Sequence, residues 1–367
     1  MMNIGLVGCG AISGIYFQNL STLFPNTRIV ACCDLNEEKA KAAAQQWNIP
    51  KVATFEEMLA DPDIDTILNL TIPRAHYSLC KQALLAGKNA YVEKPLALTY
   101  AEGKELVELA EEKGLYLGCA PDTFLGAGIQ TCKALIDGGA IGRPVSGAAY
   151  MMWWGNEYYR PDADFYYDVG GGPLYDMGPY YLTAMVHLLG RAESVFAFGN
   201  KAFEQRTCTC EPRNGAKIDV KVDTTVMGLI RFENGATVSL TTSFDIFGAH
   251  SMPKFELYGS EGTMSLPDPN GFGGPVKAAQ LFGAFEEKEL ISPYFENSRG
   301  IGLAEIELAR SEGRINHASG RLALHVLEIM EALTVSAKEG RVVKLESSPV
   351  HAPALDWQVE KGQLKTK

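Results

Sequence analysis

The chain is short of the features that mark nucleic-acid, membrane, metal or disulfide chemistry. Basic residues are outnumbered, 33 Lys and Arg against 44 Asp and Glu, and the formal net charge is −11. That balance argues against binding a polyanion such as DNA or RNA. No apolar run approaches the roughly 20 residues of a membrane helix. The N-terminus shows no signal peptide, because Asn3 to Gly8 already reads as a strand. The expected compartment is therefore the cytoplasm. Of the eight cysteines, only Cys32-Cys33 and Cys208-Thr209-Cys210 lie close together, and neither pair has the spacing of a zinc or redox motif. Reduced thiols are expected. His187, His250, His325 and His351 have no metal-ligand spacing, so no metal is expected. Internal repeats and low-complexity stretches are also missing.

What remains is ordinary for a folded protein: 367 residues, 46% hydrophobic and 21% charged, enough for two domains. The first third alternates short β-rich runs with helical patterns. Strands are expected at Asn3–Val7, Arg28–Cys33, Thr66–Asn69, Asn89–Val92 and Tyr116–Cys119. Helices are expected at Ile12–Leu23, Asn36–Trp47, Ala75–Leu85 and Tyr100–Glu112. Strands separated by helices of this length pair in parallel through crossovers, and they read as apolar runs because both faces are covered.

After residue 122 the rhythm changes. A helix at Gly126–Asp137 leads to a strand at Val145–Trp154, and strand-like segments follow at Val195–Phe203, Lys217–Phe232, Ala236–Phe244 and Lys254–Tyr258. Glu233-Asn234-Gly235 is a hairpin turn. A Gly/Pro-rich loop at 267–276 and a long amphipathic helix from Gly320 to Lys338 complete the pattern. The expected fold class is α/β. It comprises an N-terminal doubly wound parallel sheet (residues 1–122) and a C-terminal α/β domain with an open, largely antiparallel sheet (residues 123–367).

Gly8-Cys9-Gly10-Ala11-Ile12-Ser13 falls between the first strand and the first helix, where a Rossmann phosphate loop belongs. Gly8 permits a tight turn. Gly10 lets a pyrophosphate approach the backbone, and the amides at Ala11 and Ile12 open a helix whose N-terminus favours an anion. The usual third glycine is Ser13, small enough for close packing. Asp34 ends the second strand, where a carboxylate accepts both ribose hydroxyls and repels a 2′-phosphate. No arginine follows it in Leu35-Asn36. NAD is expected over NADP. Asp34 also suits a helix cap or turn, a role compatible with the ribose contact.

Three further motifs follow in order: Thr71-Ile72-Pro73-Arg74-Ala75-His76, Tyr91-Val92-Glu93-Lys94-Pro95, and Gly170-Gly171-Gly172-Pro173-Leu174-Tyr175-Asp176-Met177-Gly178-Pro179-Tyr180. With the Gly8 loop they resemble the glucose–fructose oxidoreductase / inositol dehydrogenase / rhizopine catabolism family (Gfo/Idh/MocA) over nearly the whole chain. The resemblance implies a nicotinamide cofactor lodged between the two domains and a C-terminal sheet that serves in homodimers or homotetramers. It also implies an activity on the CH–OH group of a sugar, polyol or related cyclic alcohol. Thr71, Pro73, His76, Glu93 and Lys94 become candidates for cofactor contact. Lys94 and Asp176 match the family's lysine and aspartate, whereas the histidine usual four residues beyond that aspartate is Tyr180 here. Some relatives, including the dihydrodiol dehydrogenases, also look to use tyrosine there.

Alcohol oxidation needs a proton acceptor beside the hydride acceptor. Asp176 and Tyr180 are spaced i, i+4 and would share a face of a continuous helix, but Pro179 kinks that helix or makes it start afresh near Gly178. In one reading Tyr180 takes the proton, its phenol lowered by the Lys94 ammonium, and Asp176 orients a substrate hydroxyl. In another, Lys94 is itself the acid/base. Trp153-Trp154, Tyr158-Tyr159 and Tyr166-Tyr167 offer aromatic faces to a carbohydrate-like substrate, with Trp153 and Tyr158 the chosen contacts, or else serve core or subunit packing. His76 caps its helix or touches the nicotinamide-side loop, and His317, Arg299 and Arg160 are loop residues whose place is open. Two rival functions stand beside the dehydrogenase: a glycoside hydrolase using transient oxidation by NAD, and a non-catalytic dinucleotide-binding protein.

Overall fold

The computed structural model describes residues 1–366, organised around two large sheets. The first contains strands β1 (Met2–Val7), β2 (Thr27–Cys33), β3 (Lys51–Val52), β4 (Thr66–Asn69), β5 (Asn89–Val92) and β6 (Leu117–Cys119). All pairs are parallel, in the order β3-β2-β1-β4-β5-β6. The crossovers are helices α1 (Ser13–Thr22), α2 (Glu37–Trp47), α3 (Phe55–Ala60), α4 (Pro73–Leu85) and α5 (Tyr100–Glu112). Every residue of β4 and β5 is buried, as double coverage requires. The helix starts are written in the sequence: Asn36 accepts the Glu38 amide, and Thr54/Glu57 and Thr99/Glu102 form capping boxes. Strand order reverses between β1 and β4, so the loops leaving their C-terminal ends diverge there and open a crevice.

The second sheet has nine strands in the order β16-β15-β14-β13-β7-β12-β11-β8-β17. In chain order come α6 (Ala127–Asp137), β7 (Pro144–Met152), α7 (Gly172–Asp176), α8 (Gly178–Leu189), β8 (Ala192–Asn200), β9 (Gln205–Thr207), β10 (Lys217–Asp219), β11 (Thr225–Phe232) and β12 (Thr237–Ser243). They are followed by β13 (Phe255–Gly259), β14 (Gly262–Leu266), β15 (Val276–Gln280), β16 (Glu286–Lys288), α9 (Ile301–Glu312), α10 (Gly320–Glu339) and β17 (Val343–Lys344). Pairing is antiparallel except for β12 with β7, which run parallel. The inner face, with Val195, Ala197, Val226, Ile230, Val238 and Leu240, is buried and lies against α10 and α8.

One expectation changes. The run Lys217–Phe232 is not one strand. It breaks after Asp219, and β10 pairs with β9 in a separate two-stranded sheet. Of the two outcomes Pro179 left open between Asp176 and Tyr180, the helix starts afresh: α7 ends at Asp176 and α8 begins at Gly178 with Pro179 in its first turn. A missing N–H costs nothing there. Helix α9 and strands β14 to β16 had no strong pattern in the sequence. The 20-residue α10 packs on α5 and β6 as well as on β8 and α8, so the chain returns to brace the first sheet after building the second.

Candidate active site

The phosphate loop has the geometry its sequence suggests. Gly8 sits at φ +98°, and a Cβ there would meet the Leu70 carbonyl oxygen at 2.8 Å, so the turn and the neighbouring strand both require glycine. Gly10 is different. A Cβ on Gly10 would meet nothing within 4 Å, so the fold itself does not demand glycine, and the open space suits a ligand lying on the backbone. Ser13 is buried and donates its hydroxyl to the Gly10 carbonyl at 2.7 Å, replacing a third glycine by tying the loop to the helix it opens. Among the described residues no side chain caps the start of α1, which leaves first-turn amides for an anion. Ala11 and Ile12 are exposed at this mouth.

Asp34 accepts the Cys9 amide through Oδ2 and the Asn36 amide through Oδ1, both at 2.8 Å. It therefore serves the turn and fixes the phosphate loop at once, and each oxygen keeps a lone pair for a diol. These residues fit the adenosine end of a dinucleotide.

The other cofactor candidates act from behind the surface. His76 is fully buried on α4, with Nδ1 2.7 Å from the Pro95 carbonyl and Nε2 3.1 Å from the Thr71 carbonyl. Burial lowers its pKa. The ring pins the loop after β4 to the loop after β5, so any effect on a cofactor passes through Thr71 and Pro73, which are half-buried. Glu93 is likewise turned inward: Oε1 accepts the Tyr16 hydroxyl at 2.8 Å and Oε2 the Lys94 amide at 3.0 Å.

Lys94 crosses to the second half of the chain. Its Nζ donates to the Asp176 backbone oxygen at 2.5 Å and to Asp176 Oδ1 at 2.9 Å, and lies 5.4 Å from the centroid of the Tyr180 ring. Burial pulls the ammonium's pKa down, but Asp176, Tyr180 and Glu93 outweigh it, so Lys94 stands above the usual lysine value. For Tyr180 the balance runs the other way. Burial raises its phenol, and the opposing pull of Lys94 and Arg299 does not cancel that rise. A Tyr180 phenol brought down by Lys94 alone is thus not what the resting protein shows. The phenol is held protonated.

Trp153 is half-buried, stacked on Trp154 at 5.1 Å and edge-on to Tyr159 at 5.9 Å. Tyr158 and Tyr159 are both exposed and Tyr166 is buried, and the Asp176 carboxylate adds to burial in raising the phenols of Tyr159 and Tyr166. Arg160 is paired with Asp162 at 3.1 Å through two nitrogens, and His317 is locked on Glu305 at 3.0 Å. Arg299 is held on Asn297 and Asn270 at 2.9 Å, and its charge is among those that pull the Tyr180 phenol down against burial.

Comparison with known proteins adds family to geometry. Residues 2–120 match the family "Oxidoreductase family, NAD-binding Rossmann fold" (GFO/IDH/MocA), and residues 129–265 match its C-terminal domain. The chain belongs to the GFO/IDH/MocA oxidoreductase family. Levoglucosan dehydrogenase from Pseudarthrobacter phenanthrenivorans is 27% identical over 72% of this chain and 73% of its own. D-Apiose dehydrogenase from Paraburkholderia graminis is 27% identical over 95% and 91%. The solved structure of a levoglucosan dehydrogenase with NADH and L-sorbose shares the fold, with a TM-score of 0.81 over 95% of this chain and 99% of that one at 22% identity. In this GFO/IDH/MocA member the Lys94–Asp176 pair joins the end of β5 to the end of α7. A buried second cluster, Arg206 with Glu157 and Asp245, carries the aromatic loop. No spacing in the sequence announced it.

Proposed function

We propose that the protein is an NAD-dependent dehydrogenase of a sugar- or polyol-like alcohol, with Tyr180 carrying the proton. The observation that carries this reading is the Lys94 ammonium, held between Asp176 and the Tyr180 ring at the C-terminal end of β5, where open α/β sheets take their ligands. Bound NAD supplies the hydride acceptor. Asp176 Oδ1 is taken by Lys94, and its other oxygen, with no hydrogen bond among the described residues, accepts a substrate hydroxyl. Tyr180 removes the reacting hydroxyl's proton in oxidation and returns it to the carbonyl oxygen in reduction. A Lys94 held protonated suits a donor and an electrostatic partner better than a base. Because burial raises the Tyr180 phenol, oxidation should speed up as pH rises and reduction should persist near neutrality. The sugar dehydrogenases among the relatives support the carbohydrate class, as do Trp153, Tyr159 and Tyr166 around Asp176.

The test is a fluorescence titration with NADH and NADPH, followed by NADH production on a panel of anhydrosugars, aldoses and polyols. Tight NADH binding, weak NADPH binding and turnover of a panel member are expected. Preference for NADPH would refute the Asp34 argument, and failure of both to bind would refute the dehydrogenase.

Two finer readings accompany it. All eight cysteines are free thiols, which supports a reducing compartment, the cytoplasm. The outer face of the second sheet presents Phe198, Met227 and Leu229 to solvent, with Met227 opposite Phe198 and Leu229 opposite Phe196. A contiguous apolar patch of this kind suits self-association. Sedimentation should show a dimer or tetramer that Leu229→Lys dissociates, and a monomeric parent would refute it.

A further inference from the structure

We propose that Tyr16 is a positioning residue: through Glu93 it ties the main chain at Lys94 to the helix that receives the dinucleotide's pyrophosphate. The inference rests on the reading of the chain as an NAD-dependent dehydrogenase. The sequence gave Tyr16 no role and offered Glu93 as a cofactor contact. In the fold both Glu93 oxygens are taken by the protein itself.

Tyr16 is fully buried and lies about one turn beyond Ser13 on α1. Ser13 is bound to the Gly10 carbonyl by its amide at 3.1 Å and by its hydroxyl at 2.7 Å. The phosphate loop and the first turn of α1 therefore form one piece. From that piece the Tyr16 hydroxyl donates to Glu93 Oε1 at 2.8 Å, across 77 positions of the chain. Burial and the Glu93 charge push the Tyr16 phenol up, which keeps the hydroxyl a donor. Glu93 Oε2 accepts the Lys94 amide at 3.0 Å. On the other side, the Pro95 carbonyl meets His76 Nδ1 at 2.7 Å. The Lys94 main chain is thus held from α1 through Glu93 and from α4 through His76, while its ammonium holds Asp176 Oδ1 at 2.9 Å.

The partners of Glu93 set it apart from a carboxylate that only braces the fold. The buried glutamates among the described residues are Glu93, Glu157, Glu305 and Glu328. Glu157 and Glu305 are each paired with an arginine, and Glu328 gathers the amides of Glu346 and Ser347. Glu93 has no cation within salt-bridge distance among the described residues. It takes one donor from the cofactor helix and one from the backbone of the residue that reaches Asp176. Packing alone does not call for this pair, since two apolar groups of the same shape would serve stability about as well. What the bonds add is direction. They fix where Lys94 leaves its strand relative to the seat of the pyrophosphate.

The test follows the Lys94 amide by hydrogen exchange, resolved by NMR in the full chain without cofactor. In Tyr16→Phe it should exchange about tenfold faster than in the parent, while the Leu68 and Tyr91 amides of β4 and β5 keep their rates. ADP-ribose fills the phosphate end and carries no nicotinamide. It should slow Lys94 exchange about threefold in the parent and not in Tyr16→Phe. With NAD and an alcohol that the parent oxidises, Tyr16→Phe should lower kcat about tenfold and leave the NADH dissociation constant and the alcohol KM within about twofold. In a Glu93→Met background, Tyr16→Phe should add nothing further to either readout. An unmoved Lys94 exchange in Tyr16→Phe overturns the proposal. So does a rise shared equally by Leu68 and Tyr91, which marks a general loss of stability, and so does equal protection by ADP-ribose in both proteins. Two losses that multiply in the double variant are equally fatal. If Tyr16→Phe does not fold, the double variant, which leaves neither partner orphaned, must show the fast Lys94 exchange. If the parent oxidises no alcohol, the dehydrogenase reading falls, and the exchange rates still decide whether Tyr16 holds Lys94.

Discussion

Two charged clusters lie on either side of the aromatic loop, and they differ in how completely their hydrogen bonds are used. In the first, Arg206 is 4% exposed and spends its guanidinium on Glu157, Asp245 and the backbone oxygens of Trp154 and Phe244. Glu157 also takes the Tyr167 hydroxyl, and Asp245 takes Thr224 at 2.6 Å and Thr225 at 2.9 Å. Every guanidinium nitrogen and every carboxylate oxygen of this cluster carries a bond, and a cluster so filled holds a loop. In the second, Lys94 and Asp176 are each 17% exposed. One ammonium N–H and the second carboxylate oxygen of Asp176 have no bond among the described residues. Unspent bonding capacity beside a crevice is what a substrate needs.

The difference can be broken from both sides with matched substitutions. Lys94→Met should lower kcat/KM by roughly 10³-fold, as removal of a charged group at a reacting oxygen does. It should leave the melting temperature unchanged or slightly higher, since working sites are often held at a cost in stability. Arg206→Met should do the reverse. It strands Glu157 and Asp245 without their cation, which costs about 3–5 kcal/mol of stability, while the turnover of whatever remains folded changes much less. Denaturant unfolding and steady-state kinetics on the two variants decide the matter. If Lys94→Met is the more destabilised of the pair, the distinction between a supporting cluster and a working one is wrong.

How far the sequence disclosed this follows from the range of each signal. Elements whose cause is local were legible: the strand–glycine–helix run through Gly8, the helix from Asn36 to Trp47, the Glu233-Asn234-Gly235 hairpin turn and the amphipathic α10. The parallel first sheet followed from them. Lys94 and Asp176 were legible only as family motifs, because their bond joins the ends of β5 and α7, 82 positions apart in the chain. The Arg206 cluster was illegible for the same reason without any motif to help, since its members come from three separate segments. Composition cannot say which of the adjacent Tyr158 and Tyr159 comes near enough to Asp176 to feel its charge, and in the fold Tyr159 does. Arg299 was noticed but not placed, since its position depends on amides from the 267–276 loop and α1.

The smallest expected effect concerns an ion pair between the two halves that belongs to neither class. Arg74, at the start of α4, reaches Asp168 beside the triple glycine at 2.9 Å, and Lys221 reaches the same carboxylate at 3.2 Å. Arg74 is 65% exposed on its side chain, so water and salt screen the pair, and Lys221 compensates in part when Arg74 is lost. Yet the pair joins the helix that follows the Thr71 loop to the segment that leads into α7 and Asp176. Arg74→Ala should therefore raise KM by no more than about threefold at low ionic strength with kcat unchanged, and the effect should disappear at about 1 M salt, where the screening length is roughly 3 Å. A larger, salt-resistant loss would show that Arg74 touches the substrate or cofactor itself. The open half of the comparison would then extend to the cleft rim, beyond Lys94, Asp176 and Tyr180.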